Sequence, residues 1–476
     1  MKNISVFYDD RFMPEGKLKQ LTGSKSFGEI IYKRKTLSEL MATFYDKEIV
    51  ILKQTGDIKP EEVSDGCVLH IFSHCVIKDR QEFEILLKKT AFARNNYRIT
   101  NGDRISALVF SDFKSWKEFV SENDTFAKIN KAASGFAEVE SDAFMDIYER
   151  DSFLSFITGG FEARFFNRLD GDEHTVVKRS SDIKKIRAEY DFYRFLPDEM
   201  KSYFVMPYNY TETENGASYT MERQHMTDVA IRYIHGAVDT EEFEYLMKNL
   251  FRFLSVRKRT EVDWDTYYLK KKELYITKVE DRIESLKKKE EYKKIADFIA
   301  AGTPYSSIDD IVAEYEKLYD KEISKGNEKL YHAIGHGDLC FSNILYQPDC
   351  DMIRLIDPKG ASSEADIYTD PYYDVAKLSH SVCGNYDLIN SARYEIRINE
   401  NMEAELVFDA DMKVYKDIFR RHLEEAGFDY GKVRLFECSL FLSMLPLHID
   451  RPQKVMAFIL NAIRILRETE GVMRTV

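Results

Sequence analysis

The stretch that most constrains this chain is His336-Gly337-Asp338-Leu339-Cys340-Phe341-Ser342-Asn343, followed at short range by Leu355-Ile356-Asp357. Asn343-Ile344-Leu345-Tyr346 and Ile353-Arg354-Leu355-Ile356 are short β-prone runs. Pro348-Asp349-Cys350-Asp351 between them has turn chemistry, so the segment reads as a hairpin. Folded about Cys350, it sets Asn343 opposite Asp357 at its open end, and paired strand residues lie roughly 5 Å apart. Asp338 stands on the loop that feeds this end. One carboxylate to position a hydroxyl and two oxygen ligands for Mg²⁺ on nucleotide phosphates form the set that phosphoryl transfer needs. A lone Asp-x4-Asn is as readily a structural turn whose Asp bonds its own backbone. The ordered set of His-Gly-Asp, Asn, hairpin and Asp favours function.

Together with Asp370-Pro371-Tyr372-Tyr373-Asp374-Val375-Ala376, these residues resemble the aminoglycoside phosphotransferase and choline kinase family. The resemblance covers the C-terminal two-thirds of the chain and implies the protein-kinase-like fold. It also implies that Asp338 is the catalytic base, Asn343 and Asp357 are metal ligands, and Asp374 belongs to a supporting segment. His336 is expected to fix the loop by hydrogen bonding. Two local departures, Cys340-Phe341-Ser342 within the loop and Pro358-Lys359-Gly360 after the metal Asp, bear on the substrate more than on the chemistry.

At 476 residues two or three domains are expected, and 44% hydrophobic with 32% charged residues is an ordinary globular composition. A net charge of -13 argues against non-specific binding to nucleic acid or anionic membranes. The most apolar stretch, Leu440 to Ile449, is too short to span a bilayer, so no membrane insertion is expected. Six cysteines without a C-x-x-C pair suit free thiols, and the N-terminus lacks a signal peptide's layout, so a cytoplasmic location is expected.

Residues 1–145 read as a separate α/β domain, with strands at Ile4–Tyr8, Glu48–Leu52, Cys67–Ile77 and Ile105–Phe110 and helices at Arg80–Arg94 and Phe113–Val120. Asp9-Asp10 after a strand resembles a haloacid-dehalogenase nucleophile, but the second acid would be needed at Arg11. His70 and His74 read as packing or surface residues. Leu21-Thr22-Gly23-Ser24-Lys25 is faintly similar to the start of sugar nucleotidylyltransferases.

Residues 146–225 read as a nucleotide-binding N-lobe. Phe153–Ile157 and Phe161–Leu169 are expected as strands joined through Gly159-Gly160, whose backbone would approach phosphates, and Thr175–Lys178 as a third strand. Lys178 stands where a phosphate-contacting lysine belongs, and Glu189 beside the buried face of the next helix suits its ion-pair partner. Tyr219-Thr220-Met221 is strand-like and leads through Glu222-Arg223 to the helical region, and the resemblance implies that this is the interlobe linker, whose backbone would read the nucleotide base.

Residues 226–476 read as a helical C-lobe carrying the catalytic loop and substrate site. Its charge-dense Lys270–Lys294 run is expected to be a solvated helix packed along one side. The fold class is therefore α+β: a two-lobed protein-kinase-like domain preceded by a smaller α/β domain.

The expected activity is ATP- or GTP-dependent phosphorylation of a hydroxyl on a small molecule (sugar, amino alcohol or aminoglycoside-like), with Mg²⁺ as cofactor. Surface polysaccharide metabolism is one setting for it. The alternatives are a bifunctional kinase/nucleotidylyltransferase and a nucleotide-binding pseudokinase acting as an interaction module. The sequence carries no signal for oligomeric state.

Overall fold

The apolar run Gly66–Phe72, buried along its whole length, is a central strand of a six-stranded mixed sheet. The computed structural model describes residues 3–45, 49–54, 66–102, 104–159, 167–172, 174–323 and 330–475. The chain divides into two units, one of Met1–Glu162 with Arg232–Ala237, the other of Ala163–Ile231 with Val238–Val476.

In the first unit the strands are β1 (Asn3–Asp9), β2 (Ile49–Leu52), β3 (Gly66–Phe72), β4 (Tyr97–Asn101), β5 (Arg104–Phe110) and β6 (Ala137–Glu140), in spatial order β2-β1-β3-β5-β4-β6. β1 runs parallel to β2 and β3, whereas β5 is antiparallel to both of its neighbours. Because side chains alternate along a strand, Leu69 and Ile71 enter one core with Tyr8 and Phe83, while Val68 and Phe72 enter another with Phe7 and Trp116. Both faces are thus covered, which explains why β3 is apolar on both sides apart from His70. The helix Arg80–Thr90 starts where the Asp79 carboxylate accepts the N–H groups of Gln81 and Glu82, and Phe113–Glu122 starts at Asp112 in the same way.

Two expectations change here. The single strand Cys67–Ile77 breaks at Ser73-His74, and its second half, Cys75–Ile77, pairs instead with Phe144–Asp146. Phe153–Ile157 is not a strand but part of the helix Arg150–Gly159, because Phe153 and Ile157, one turn apart, share a buried face. A five-residue apolar run does not by itself distinguish the two periods.

The second unit opens with β7 (Asn167–Gly171), β8 (Thr175–Ser180), β9 (Pro207–Thr213) and β10 (Gly216–Glu222), an antiparallel sheet in the order β7-β8-β10-β9. The Asp172 carboxylate accepts the N–H groups of His174 and Thr175 and closes the β7–β8 turn. The helix Ile183–Phe195, capped by Asp182 and stopped ahead of Pro197, packs Ile186 onto Ala217 and Tyr219 of the sheet. The remainder is mainly helical. Tyr430–Met444 is buried on nearly every side and packs against both Pro371–Val382 and Pro452–Thr475. The Lys270–Lys294 region is not one solvated helix: a π-helical turn at Glu273–Thr277 interrupts it, and Lys271 is 2% exposed. Its ammonium lies 3.0 Å from the buried Asp370 carboxylate. All six cysteines are free, and among the described residues no helix is long and apolar enough to cross a membrane.

The Phe7 ring stacks on Trp116 at 3.8 Å between centroids, and both side chains are buried. In a Trp264→Phe background, where Trp116 is the one remaining tryptophan, Phe7→Ala should destabilise the first unit by about 3–5 kcal/mol in urea unfolding followed by tryptophan fluorescence.

Candidate active site

The loop His336–Asn343 is held from beneath by Asp374. One oxygen of this buried carboxylate accepts the N–H of His336 and the other the N–H of Gly337, both at 2.8 Å. Arg257, itself buried, pairs with Asp374 at 3.2 Å and donates to the Pro371 carbonyl. Gly337 has φ +81°, and a Cβ there would meet the Lys359 side chain at 2.6 Å, so glycine is required twice over. The fully buried His336 ring accepts the Asp338 N–H at Nδ1, and its Nε2 lies 2.9 Å from the Ile356 carbonyl. Burial lowers its pKa despite nearby carboxylates, so the ring is neutral near pH 7 and serves as a brace.

From this loop the chain enters the hairpin Ile344–Gln347/Met352–Leu355. Its register pairs Ile344 with Leu355, so Asn343 stands opposite Ile356 and not Asp357. The Ile356 N–H donates to the Asn343 carbonyl at 3.1 Å. The cause is the tip, a four-residue Pro348–Asp351 turn with Asp351 left-handed, which shifts the pairing one place from a fold about Cys350. Asp357 then takes a left-handed φ of +55° just past the last pair, and its carboxylate remains half-exposed.

That carboxylate meets the first sheet of the unit. Lys178 of β8 places Nζ 2.9 Å from Asp357 Oδ1 and 2.7 Å from Glu189 Oε2, with Lys178 and Glu189 both buried. Tyr219 donates its hydroxyl to the same Glu189 oxygen at 3.1 Å. Burial works against the lysine's charge, but the two carboxylates outweigh it and raise its pKa. The backbone after Asp357 locks this arrangement: Lys359 N–H donates to the His336 carbonyl and Ala361 N–H to the Ala188 carbonyl, each at 2.9 Å. Gly360, at φ +87°, lies so near that a Cβ would stand 2.8 Å from the Ala188 backbone.

Asp338 carries the most informative electrostatics. Asn343 Nδ2 donates to its carbonyl at 2.8 Å and to its Oδ2 at 3.2 Å, which turns the amide nitrogen of Asn343 toward Asp338. Lys377 reaches Asp338 Oδ1 at 2.9 Å. Burial alone would raise the Asp338 pKa, but the Lys377 charge overrides it and brings it to about 2. The Lys377 ammonium is in turn held well above its ordinary range.

No protein-family model and no curated protein matches this sequence. Solved structures do. One is an apo form of a thermostable mutant of aminoglycoside phosphotransferase APH(4)-Ia, at 11% identity and TM-score 0.36, covering 63% of this chain and 94% of that one. Another is APH(3'')-Id from Streptomyces rimosus in complex with ADP and streptomycin, at 13% identity and TM-score 0.36, covering 62% of this chain and 97% of that one. A third is the streptomycin-ATP-APH(2")-IIa ternary complex, at 13% identity and TM-score 0.39, covering 64% and 90%. All three are aminoglycoside phosphotransferases.

Thus Lys178, Glu189 and Asp357 come together, as do His336, Asp338 and Asn343. Tyr219-Thr220-Met221 lies in a strand as expected: Met221 pairs between Val176 and Pro207 and packs with the Ile186 cluster, and the strand runs on to Glu222. Gly159 ends the helix Arg150–Gly159 in place of a strand hairpin, and Gly160 lies outside the described residues. In the first unit Arg11 donates twice to Asp9 at 2.8 Å, and His70 lies 3.1 Å from the same carboxylate while accepting the Trp116 indole N–H. Leu21 and Thr22 close the helix Gly16–Thr22, with Gly23 at its C-cap. Sequence reasoning does not single out Lys377. The signal was its place three residues after Asp374, which puts both on one helical face toward the loop.

Lys377→Met should therefore raise the Asp338 pKa from about 2 toward or above the ordinary aspartate value of about 3.9. Carbon-13 NMR of labelled aspartate carboxyls should show this titration entering the accessible range in the variant and lying below it in the unsubstituted protein.

Proposed function

We propose that the second unit transfers the γ-phosphoryl group of a nucleoside triphosphate, ATP or GTP, to a hydroxyl of a small molecule. The observation that carries this reading is Lys178, bound at once to Glu189 at 2.7 Å and to Asp357 at 2.9 Å. A buried lysine between a helix glutamate and an exposed carboxylate is poised to keep the first partner and exchange the second for phosphate oxygens. Asp357 and the Asn343 amide oxygen are hard oxygen donors of the kind Mg²⁺ prefers, and they would hold the ion that neutralises phosphate charge.

Asp338 accepts and orients the acceptor hydroxyl. With its pKa at about 2 it is a weak base, which suits a loose transition state where the proton leaves late and positioning dominates. Lys377 offers a second cation beside the attacking oxygen. A sugar, amino alcohol or aminoglycoside-like acceptor is the class this reading favours. A pseudokinase reading is weaker, because the lysine, both metal-type oxygen donors and the loop aspartate all stand in one connected set.

Asp338→Asn should lower kcat by at least about a thousandfold while leaving nucleotide affinity within a few-fold, since it removes a group acting mainly in the transition state. Lys178→Met should instead weaken nucleotide binding. Nucleotide consumption against a panel of sugars, amino alcohols and aminoglycosides, with calorimetric nucleotide titration alongside, reads both. Unchanged turnover in Asp338→Asn would refute the assignment.

A further inference from the structure

The first unit holds a group of side chains that phosphoryl transfer in the second does not use. His74 follows the end of β3, Cys75 opens the next short strand, and Asp146 ends the strand paired with it in register opposite Cys75. The Ile147 N–H donates to the His74 carbonyl at 2.9 Å and fastens the two segments. One imidazole nitrogen, the thiol sulfur and one carboxylate oxygen lie within 4.8 Å of one another. Among the described residues this is the one trio of histidine, cysteine, aspartate or glutamate so arranged.

Two of the three side chains hold orphaned polar atoms. His74 is 4% exposed, yet its Nδ1 has no hydrogen-bond partner, and neither has Asp146 Oδ2. Leaving such groups buried and unsatisfied is costly unless something else binds there. The imidazole is boxed by Phe27, Phe72, Phe126 and Tyr148, which restrict its rotation. Asp146 Oδ1 accepts the Tyr148 N–H at 2.7 Å, which steadies the carboxylate. The opposing charge is Arg104, 3.6 Å from Asp146 Oδ2, but its other nitrogen is engaged by Glu149 at 2.5 Å. Asp146 is the most exposed of the three, its side chain 17% accessible.

The geometry points to a binding site for a borderline-soft divalent cation of the zinc class on His74, Cys75 and Asp146. Nitrogen, sulfur and oxygen donors are the set zinc takes, and three protein ligands leave a fourth position for water. Donor pairs around tetrahedral zinc stand roughly 3.3–3.8 Å apart, so the trio closes by about 1 Å on binding. The Cys75 S–H bond breaks, its proton passes to solvent, and the sulfur pair forms the bond to the metal.

The test uses the full chain, stripped of metal with chelator and kept in excess Mg²⁺. Co²⁺ is titrated by absorbance and Zn²⁺ by calorimetry. The expected result is one equivalent bound with a thiolate-to-cobalt charge-transfer band. The band should vanish in Cys75→Ser, weaken at least about tenfold in affinity in His74→Ala, and persist in Asp357→Asn, which separates this site from the proposed kinase centre. No thiolate band in the unsubstituted protein, or a band surviving both Cys75→Ser and His74→Ala, would overturn the proposal. If Cys75→Ser does not fold, His74→Ala and Asp146→Asn carry the same test.

Discussion

The candidate site depends on the buried carboxylate of Asp374. Its two oxygens take the backbone N–H groups of His336 and Gly337, and Arg257 supplies the counter-charge. A buried ion pair of this kind adds little net stability, but losing one partner costs about 3–5 kcal/mol because the other charge is stranded. The loop bearing Asp338 is therefore anchored through its backbone at His336 and Gly337. The anchor is itself secured: Asp370 caps the Pro371–Val382 helix, and Lys271 and Tyr275 hold Asp370 from the π-helical turn and the helix before it. A helix that reads as solvated surface thereby contributes to the floor of the site.

Backbone contacts, more than side chains, connect the sheet of the second unit to its helical part. The Met352–Leu355 strand continues the register of the Tyr203–Val205 segment, with Leu355 N–H donating to Tyr203 and Val205 N–H to Leu355. The Phe204 ring stacks over His336 at 5.8 Å. The closest approach is Gly360 against Ala188, one residue before Glu189. Glu189 and Asp357 reach the same lysine because the chains bearing them are already bonded to each other. The lack of a side chain at Gly360, with its left-handed φ, is what allows that approach.

Charge in the site is balanced pairwise: Lys178 against Glu189 and Asp357, Lys377 against Asp338. Lys178 and Lys377 are more buried than Asp357 and Asp338, and each lysine has at least one carboxylate within 3 Å.

The sequence by itself determined the elements whose signals are local. The Asp338–Asn343 spacing, the hairpin, the Asp182 cap and the amphipathic face carrying Ile186 and Glu189 are set by residues within a few positions of each other. It also determined the strands Ile4–Tyr8 and Ile105–Phe110 of the first unit, whose apolar runs are local. Tertiary structure decided the rest. Phe153–Ile157 became a helix and the hairpin shifted by one place, since short apolar runs and turn tips are compatible with more than one geometry. Lys377 and Lys271 were invisible for a further reason. A lysine's buried role depends on which carboxylate faces it across the fold, and that partner, 39 or 99 residues away, is fixed only when the helices pack.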